Sequence, residues 1–264
     1  MAAAQRKRRP AAHAGGAEVL YGYHPVAEAL AAGRRTVERV LVDRPQPSVR
    51  QQGIVDLAGR RGIPWVVSTP DQLQAACGSD GHQGLAAVVS PLPEEALSAV
   101  VPAGDDATRD CLLVLLDSIV DPNNLGAIVR TAHCVGADAL VIPKDRAAGA
   151  TPAVSKASAG ALEHTRLCRV TNLANSIAWL KQQNVWVAGL SMAAEQTLFE
   201  ADLRGRLALV VGSEEKGLRP LVEKQCDFRV AIPLRGRIDS LNASAAAAVV
   251  LYEAFRQRQL PGGP

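Results

Sequence analysis

Three polar stretches in the carboxy-terminal half each follow a short apolar run directly and carry residue types able to bind or react. Parallel sheets gather ligands at the carboxyl ends of their strands, so these stretches are where chemistry belongs. The first, DSIVDPNNLGAIVR from Asp117 to Arg130, follows Cys111–Leu116. Asp121-Pro122 starts a turn, Asn123 or Asn124 can cap a helix, and Gly126 permits close backbone approach. Arg130 comes six residues after Asn124, under two helical turns, so the two side chains can share neighbouring parts of one surface. A capped helix with a solvated arginine explains the same residues. The second, GSEEKG from Gly212 to Gly217, follows Leu207–Val211. Its glycines suit close approach to a ligand; an exposed charged turn before the Arg219-Pro220 helix is the plainer account. The third runs from Ile232-Pro233 to Ser240-Leu241-Asn242 and leads into an alanine-rich helix. Ser240 and Asn242 are natural caps, yet a long loop furnished with Arg and Gly is commonly functional.

Several chemistries are excluded. No Gly-Lys-Ser/Thr follows the second stretch, and no GxGxxG follows a strand, which argues against a phosphate loop and an ordinary nicotinamide oxidoreductase. Cys77, Cys111, Cys134, Cys168 and Cys226 are odd in number and form no CxxC pair, so neither a zinc site nor a disulfide framework is expected. They read as small core residues. His24, His82, His133 and His164 lack a Ser or Asp constellation. No apolar run approaches the roughly 18 residues of a membrane span, and the Arg-rich start lacks the apolar stretch of a secretory signal. A cytoplasmic protein without membrane or metal is the expectation.

The elements that must position these loops follow from hydrophobic pattern. The 264 residues are 48% hydrophobic and 21% charged, enough for a real core, with aromatics at only 3%. Residues 1–17 carry Arg6, Lys7, Arg8 and Arg9 and no acid, and read as a disordered basic tail. In residues 18–90, β-branched runs alternate with helical stretches: Val19–Tyr21, His24–Ala32, Val37–Val42, Val49–Arg61, Ile63–Val67 and Leu85–Val89. Residues 91–110 hold three prolines and five acids and read as a linker. In residues 111–264, near-continuous apolar runs predict strands buried on both faces: Cys111–Leu116, Ala139–Ile142, Leu167–Val170, Val185–Ala188, Leu207–Val211 and Phe228–Ile232. Helices are expected at Leu125–Val135, Pro152–Ala159, Leu173–Gln183 and Ala243–Gln257. The alternation gives an α/β fold with a mostly parallel sheet.

In this order the three loops resemble the SpoU family of RNA ribose 2'-O-methyltransferases, within the SPOUT superfamily. Asn124, Gly126 and Arg130 match in the first, Gly212, Glu214 and Gly217 in the second, and Ile232-Pro233 with Ser240-Leu241-Asn242 in the third. Tyr21-Gly22-Tyr23-His24-Pro25-Val26 and His82-Gln83-Gly84 extend the likeness toward the bacterial 23S rRNA guanosine 2'-O-methyltransferase group. The resemblance implies an L30e-like RNA-recognition domain at 18–90, then a SPOUT catalytic domain with a carboxy-terminal trefoil knot at 111–264. It also implies S-adenosylmethionine as methyl donor and RNA, most of all 23S rRNA, as partner. A tRNA 2'-O-methyltransferase, a resistance enzyme acting on another rRNA site and a non-catalytic RNA-binding protein are the alternatives.

By the same resemblance, Gly212, Gly217, Ile232 and Leu241 would contact the cofactor through backbone and apolar surface. Asn124, Arg130, Glu214, Ser240 and Asn242 form the catalytic set. The family is thought to activate the hydroxyl with the arginine at position 130, whereas a guanidinium stays protonated; a grip on the adjoining phosphate fits arginine chemistry better. The family usually pairs through its knotted domain, which implies a homodimer. Helix Ala243–Gln257 is apolar on more than one face, and Val250 and Phe255 are expected at the interface.

Overall fold

Leu85–Val89 is apolar at every position because both of its faces are covered. In the computed structural model, which describes residues 16–102, 108–237 and 240–259, this strand is central to the first of two units, divided between Pro93 and Glu94. Residues 1–15, most of the expected basic tail, lie outside the described residues.

The first unit runs β1 (Glu18–Tyr21), α1 (Tyr23–Ala32), β2 (Val37–Val42), α2 (Val49–Arg60), β3 (Trp65–Val67), α3 (Pro70–Cys77) and β4 (Leu85–Val89). Its sheet has the order β1-β4-β2-β3, with β4 antiparallel to both neighbours and β2 parallel to β3. Alternation along β4 sends Leu85, Ala87 and Val89 into a core with α1 and α2, and Ala86 and Val88 into one with Leu73 of α3. Ser48 with Gln51, and Thr69 with Gln72, form capping boxes that start α2 and α3.

The second unit continues with α4 (Leu97–Val100), β5 (Cys111–Asp117), α5 (Pro122–Cys134), β6 (Ala139–Pro143), α6 (Pro152–Ala157), a 3-10 turn (Ala161–Glu163) and β7 (Leu167–Val170). Then come α7 (Leu173–Gln182), β8 (Trp186–Leu190), β9 (Arg206–Gly212), α8 (Pro220–Gln225), β10 (Phe228–Val230) and α9 (Ala243–Gln259). All six strands are parallel, in the order β10-β8-β9-β5-β6-β7. Leu113 and Leu115 pack with Leu173, Ile177, Leu180 and Val222 of α7 and α8; α5 and α9 contact each other, and α9 also meets β9.

Part of the segment expected to be a linker belongs to this second core. Val100 and Val101 are buried there, Glu95 N donates to Leu167 O at 2.9 Å, and Arg166 pairs with Glu95. Prolines and acids suggested a spacer; the apolar Leu97-Ser-Ala-Val-Val101 within it decides the packing. Helix α9 also departs from expectation: Val250 and Leu251 are fully buried inside the chain, while Val249 and Tyr252 are exposed. Val250 is therefore a core position and cannot report on a surface between copies.

Candidate active site

Strands β5 and β9 lie side by side with Asp117 opposite Gly212, so the first and second loops leave the sheet at adjacent points. Asp117 is completely buried, and its carboxylate accepts from Arg219 N at 2.8 Å and Arg219 Nε at 2.6 Å. This pair ties the start of the first loop to the end of the second across 102 residues of sequence. Removing Arg219 would leave the buried Asp117 carboxylate without its partner, whereas the Arg219 side chain is itself half-exposed.

The second loop is a closed turn. Ser213 N donates to Gly217 O at 3.1 Å, Gly217 N returns to Ser213 O at 2.9 Å, and Gly217 takes a φ of 62°. A Cβ on Gly212 would stand 2.3 Å from the carbon and oxygen of Gly217. Only glycine fits there, because the loop folds back onto the strand end.

Asn124, Glu214 and Asn242, one from each loop, meet. Asn124 Nδ2 donates to Glu214 Oε1 at 2.7 Å, Asn242 Nδ2 donates to Asn124 Oδ1 at 3.0 Å and also to Glu214, and Ala243 N donates to Glu214 at 3.1 Å. Asn242 Oδ1 meanwhile accepts from Ser244 N at 3.0 Å and Ala245 N at 3.3 Å, which caps α9. Capping and site-building are thus one residue's two ends. The Glu214 carboxylate sits at the amino terminus of α9, where a negative charge is favoured.

Beside this network lies a cavity of about 500 Å³ at the carboxyl ends of β8, β9 and β10. Gly212, Glu214, Gly217, Ile232, Ser240 and Leu241 all line it, with Leu190, Ser191, Met192 and Val230. Arg130 stands apart, exposed on α5, and among the described residues no hydrogen bond or ion pair engages its guanidinium. One detail of the first loop differs from expectation: Asp121, not Asn123 or Asn124, caps α5, since its carboxylate accepts from Asn123 N at 3.0 Å. Gly126 permits the close backbone approach expected of it, to the end of α6: a Cβ there would come within 2.4 Å of Ala157 Cβ and 2.9 Å of Ser158 N.

Sequence reasoning missed Asp117, Arg219 and the Leu190-Ser191-Met192 wall. The wall was findable, because it follows an apolar run as the three loops do. Glu223 also lines the cavity, accepting from Ser191 Oγ at 3.0 Å and from Arg229 at 3.2 Å; nothing local marked it.

Residues 111–252 match the SpoU rRNA Methylase family, and residues 19–95 match the RNA 2'-O ribose methyltransferase substrate binding family. The 23S rRNA (guanosine-2'-O-)-methyltransferase RlmB of Coxiella burnetii is 39% identical over 245 residues, covering 92% of this chain and 96% of that protein. The protein of the same name from Ralstonia nicotianae is 37% identical, covering 92% and 97%. The crystal structure of the SpoU methyltransferase AviRb from Streptomyces viridochromogenes, in complex with the cofactor AdoMet, superposes with a TM-score of 0.76 at 27% identity, covering 92% of this chain and 90% of that one.

Proposed function

The chain belongs to the SpoU rRNA methylase family and is an S-adenosylmethionine-dependent RNA 2'-O-methyltransferase; from this premise we propose that it methylates the ribose of a guanosine in 23S rRNA. The meeting of Asn124, Glu214 and Asn242 beside the cavity carries the reading.

The residues present fit the cofactor. The cavity's size suits a ligand of nucleoside scale, Gly212 leaves no room for a side chain, and Val211, Val230, Ile232 and Leu241 supply apolar wall. Bound there, S-adenosylmethionine supplies a methyl group already activated by its sulfonium. The backbone of Gly212–Gly217, with Ile232 and Leu241, holds the donor, and Ser240 closes the same wall. Asn124, Glu214 and Asn242 lock the three loops together, so that donor and hydroxyl are held in line. Arg130, whose guanidinium has no hydrogen-bond or ion-pair partner among the described residues, grips the phosphate next to the target ribose and stabilises negative charge developing on its 2'-oxygen.

The fold reading is an L30e-like RNA-recognition unit followed by a catalytic domain with a trefoil knot. Supporting the knot, α8 packs with α7 and α9 with α5, on opposite faces of the sheet. The segment joining them leaves through Ala231, which bonds Gln196 and Leu198 of the β8–β9 connection at 2.9 and 2.8 Å. A homodimer through the catalytic domain is supported by the stripe Ala245, Val249 and Tyr252 on α9, exposed at helical spacing. Among the described residues no helix is long and apolar enough to cross a membrane; a cytoplasmic location follows from the rRNA substrate.

Two measurements test the reaction. Mapping 2'-O-methyl sites in total RNA with and without the gene should reveal one missing guanosine in 23S rRNA; loss from tRNA instead would redirect the substrate. Arg130→Ala should lower methyl transfer more than about tenfold, or 1.4 kcal/mol, while S-adenosylhomocysteine affinity stays within a few fold. Retained activity would remove Arg130 from the mechanism.

A further inference from the structure

The two amino-terminal motifs that the catalytic site does not absorb, around Tyr23-His24 and His82-Gln83-Gly84, come together at one end of the first unit. Tyr23 N donates to Gln83 Oε1 at 3.3 Å, and Gly22 N to Leu85 O at 2.9 Å. The turn is held with care: Gln83 takes a φ of 54° and Gly84 one of 70°, and a Cβ on Gly84 would overlap the Asp43 carboxylate at 2.3 Å. Gln51, only 5% exposed, bonds both Asp43 Oδ1 and Gly84 O at 2.9 Å. Burying this many polar groups costs free energy unless each is satisfied, and what they fix in place is an exposed surface.

That surface has a specific make-up. The Arg50 guanidinium lies over the Tyr23 ring, 5.0 Å from its centroid, and His24 stands edge-on to Tyr23 with ring centroids 5.4 Å apart. Arg50 and His24 are exposed. Arg44 is paired with Asp43, through Nε at 2.8 Å and a second nitrogen at 3.0 Å, whereas among the described residues no carboxylate pairs with Arg50. A planar cation backed by an aromatic ring, with its outer face open to solvent, is the arrangement on which splayed-out RNA bases stack. A positive charge left without a carboxylate among the described residues suits the adjoining phosphate.

We propose that Arg50, backed by Tyr23 and flanked by His24, is a docking platform for one unpaired nucleotide of the RNA substrate, and that Asp43, Gln51 and Gln83 are its positioning residues. This rests on the proposed reaction for the identity of the RNA.

The test uses the full chain and protein-free 23S rRNA, with binding and methyl transfer measured separately. Arg50→Ala should weaken RNA binding and raise KM for the RNA at least tenfold, leaving kcat at saturating RNA within twofold. S-adenosylhomocysteine affinity and melting temperature should not change. Arg50→Lys, which keeps the charge and loses the flat face, should recover less than threefold of the loss. Arg39→Ala, at a half-exposed arginine paired with Glu38 on β2, should behave as wild type. A KM within twofold of wild type in Arg50→Ala would overturn the platform, and full rescue by lysine would overturn stacking. Wild-type protein that binds the RNA and does not methylate it would sink the reaction while the binding arm still judges the platform; wild-type protein that does not bind would sink both.

Discussion

Gly212→Ala places one methyl group where the fold leaves no space. The added carbon would stand 2.3 Å from two backbone atoms of Gly217 and 2.6 Å from Leu218 N. Backbone cannot rotate away as a side-chain tip does, so the turn must retreat by roughly 1 Å to restore van der Waals contact. Paired hydrogen bonds between Ser213 and Gly217 make the turn move as a unit, and Glu214 moves with it. The Asn124–Glu214 bond of 2.7 Å and the Ala243–Glu214 bond of 3.1 Å then stretch out of range. Losing such bonds costs about 0.5–1.5 kcal/mol each, and a displacement of about 1 Å in a positioned site costs on the order of 100-fold in rate. Calorimetry with S-adenosylhomocysteine should show Kd raised about 30- to 100-fold, and methyl transfer should fall about 100-fold. Overpacking of about 1–3 kcal/mol should lower the melting temperature by some degrees, which shows that the variant still folds. Gly217→Ala is the control: its φ of 62° is awkward for alanine, yet nothing lies within 4 Å of the new Cβ. It should pay only the left-handed penalty of about 1–2 kcal/mol and bind better than Gly212→Ala. A Gly212→Ala protein with Kd and rate within threefold of wild type would refute the folded-back turn and its coupling to Glu214.

Glu214→Ala removes the acceptor shared by Asn124, Asn242 and Ala243 and should cost about 2 kcal/mol in kcat/KM, roughly 30-fold; Glu214→Gln, which keeps an oxygen, should lose less in the same assay, and equal losses would point to charge rather than loop locking. Tyr252→Asp puts a charge on the exposed stripe of α9 and should shift light-scattering mass from dimer to monomer; an unchanged dimer places the interface elsewhere. Burial pushes the Cys77 and Cys168 thiols up to about 11 and Cys226 to about 12, and raises Cys111 as well. A raised thiol value keeps thiolate scarce below it, so at pH 8 the exposed Cys134 should alkylate fast and alone by mass spectrometry, with the others reacting far more slowly until denatured; rapid labelling of the half-buried Cys226 in native protein would contradict its raised thiol value.

Local order was written in the sequence because its causes are local. The run LAAVV at Leu85–Val89 and the run CLLVLL at Cys111–Leu116 are strands because apolar side chains on both faces need covering. Thr69, Thr151 and Asn242 start helices because a side-chain oxygen can reach the backbone two or three residues on. The three loops were likewise legible as loops at strand ends, and their residue types identified the family. What each loop touches was not legible. Asp117 meets Arg219 because β5 and β9 are neighbours, although three strands separate them in sequence. Asn124 reaches Glu214 for the same reason, and Asn242 because α9 packs against α5. Gly126 answers to α6, the Leu97–Val101 segment to β7 and the second core, and Val250 to the interior beneath α9. Caps and hydrophobic periods act between residues a few positions apart, so the chain states them directly. Strand order and helix seating depend on which distant surfaces fit at close packing, and those contacts exist only once the chain has folded.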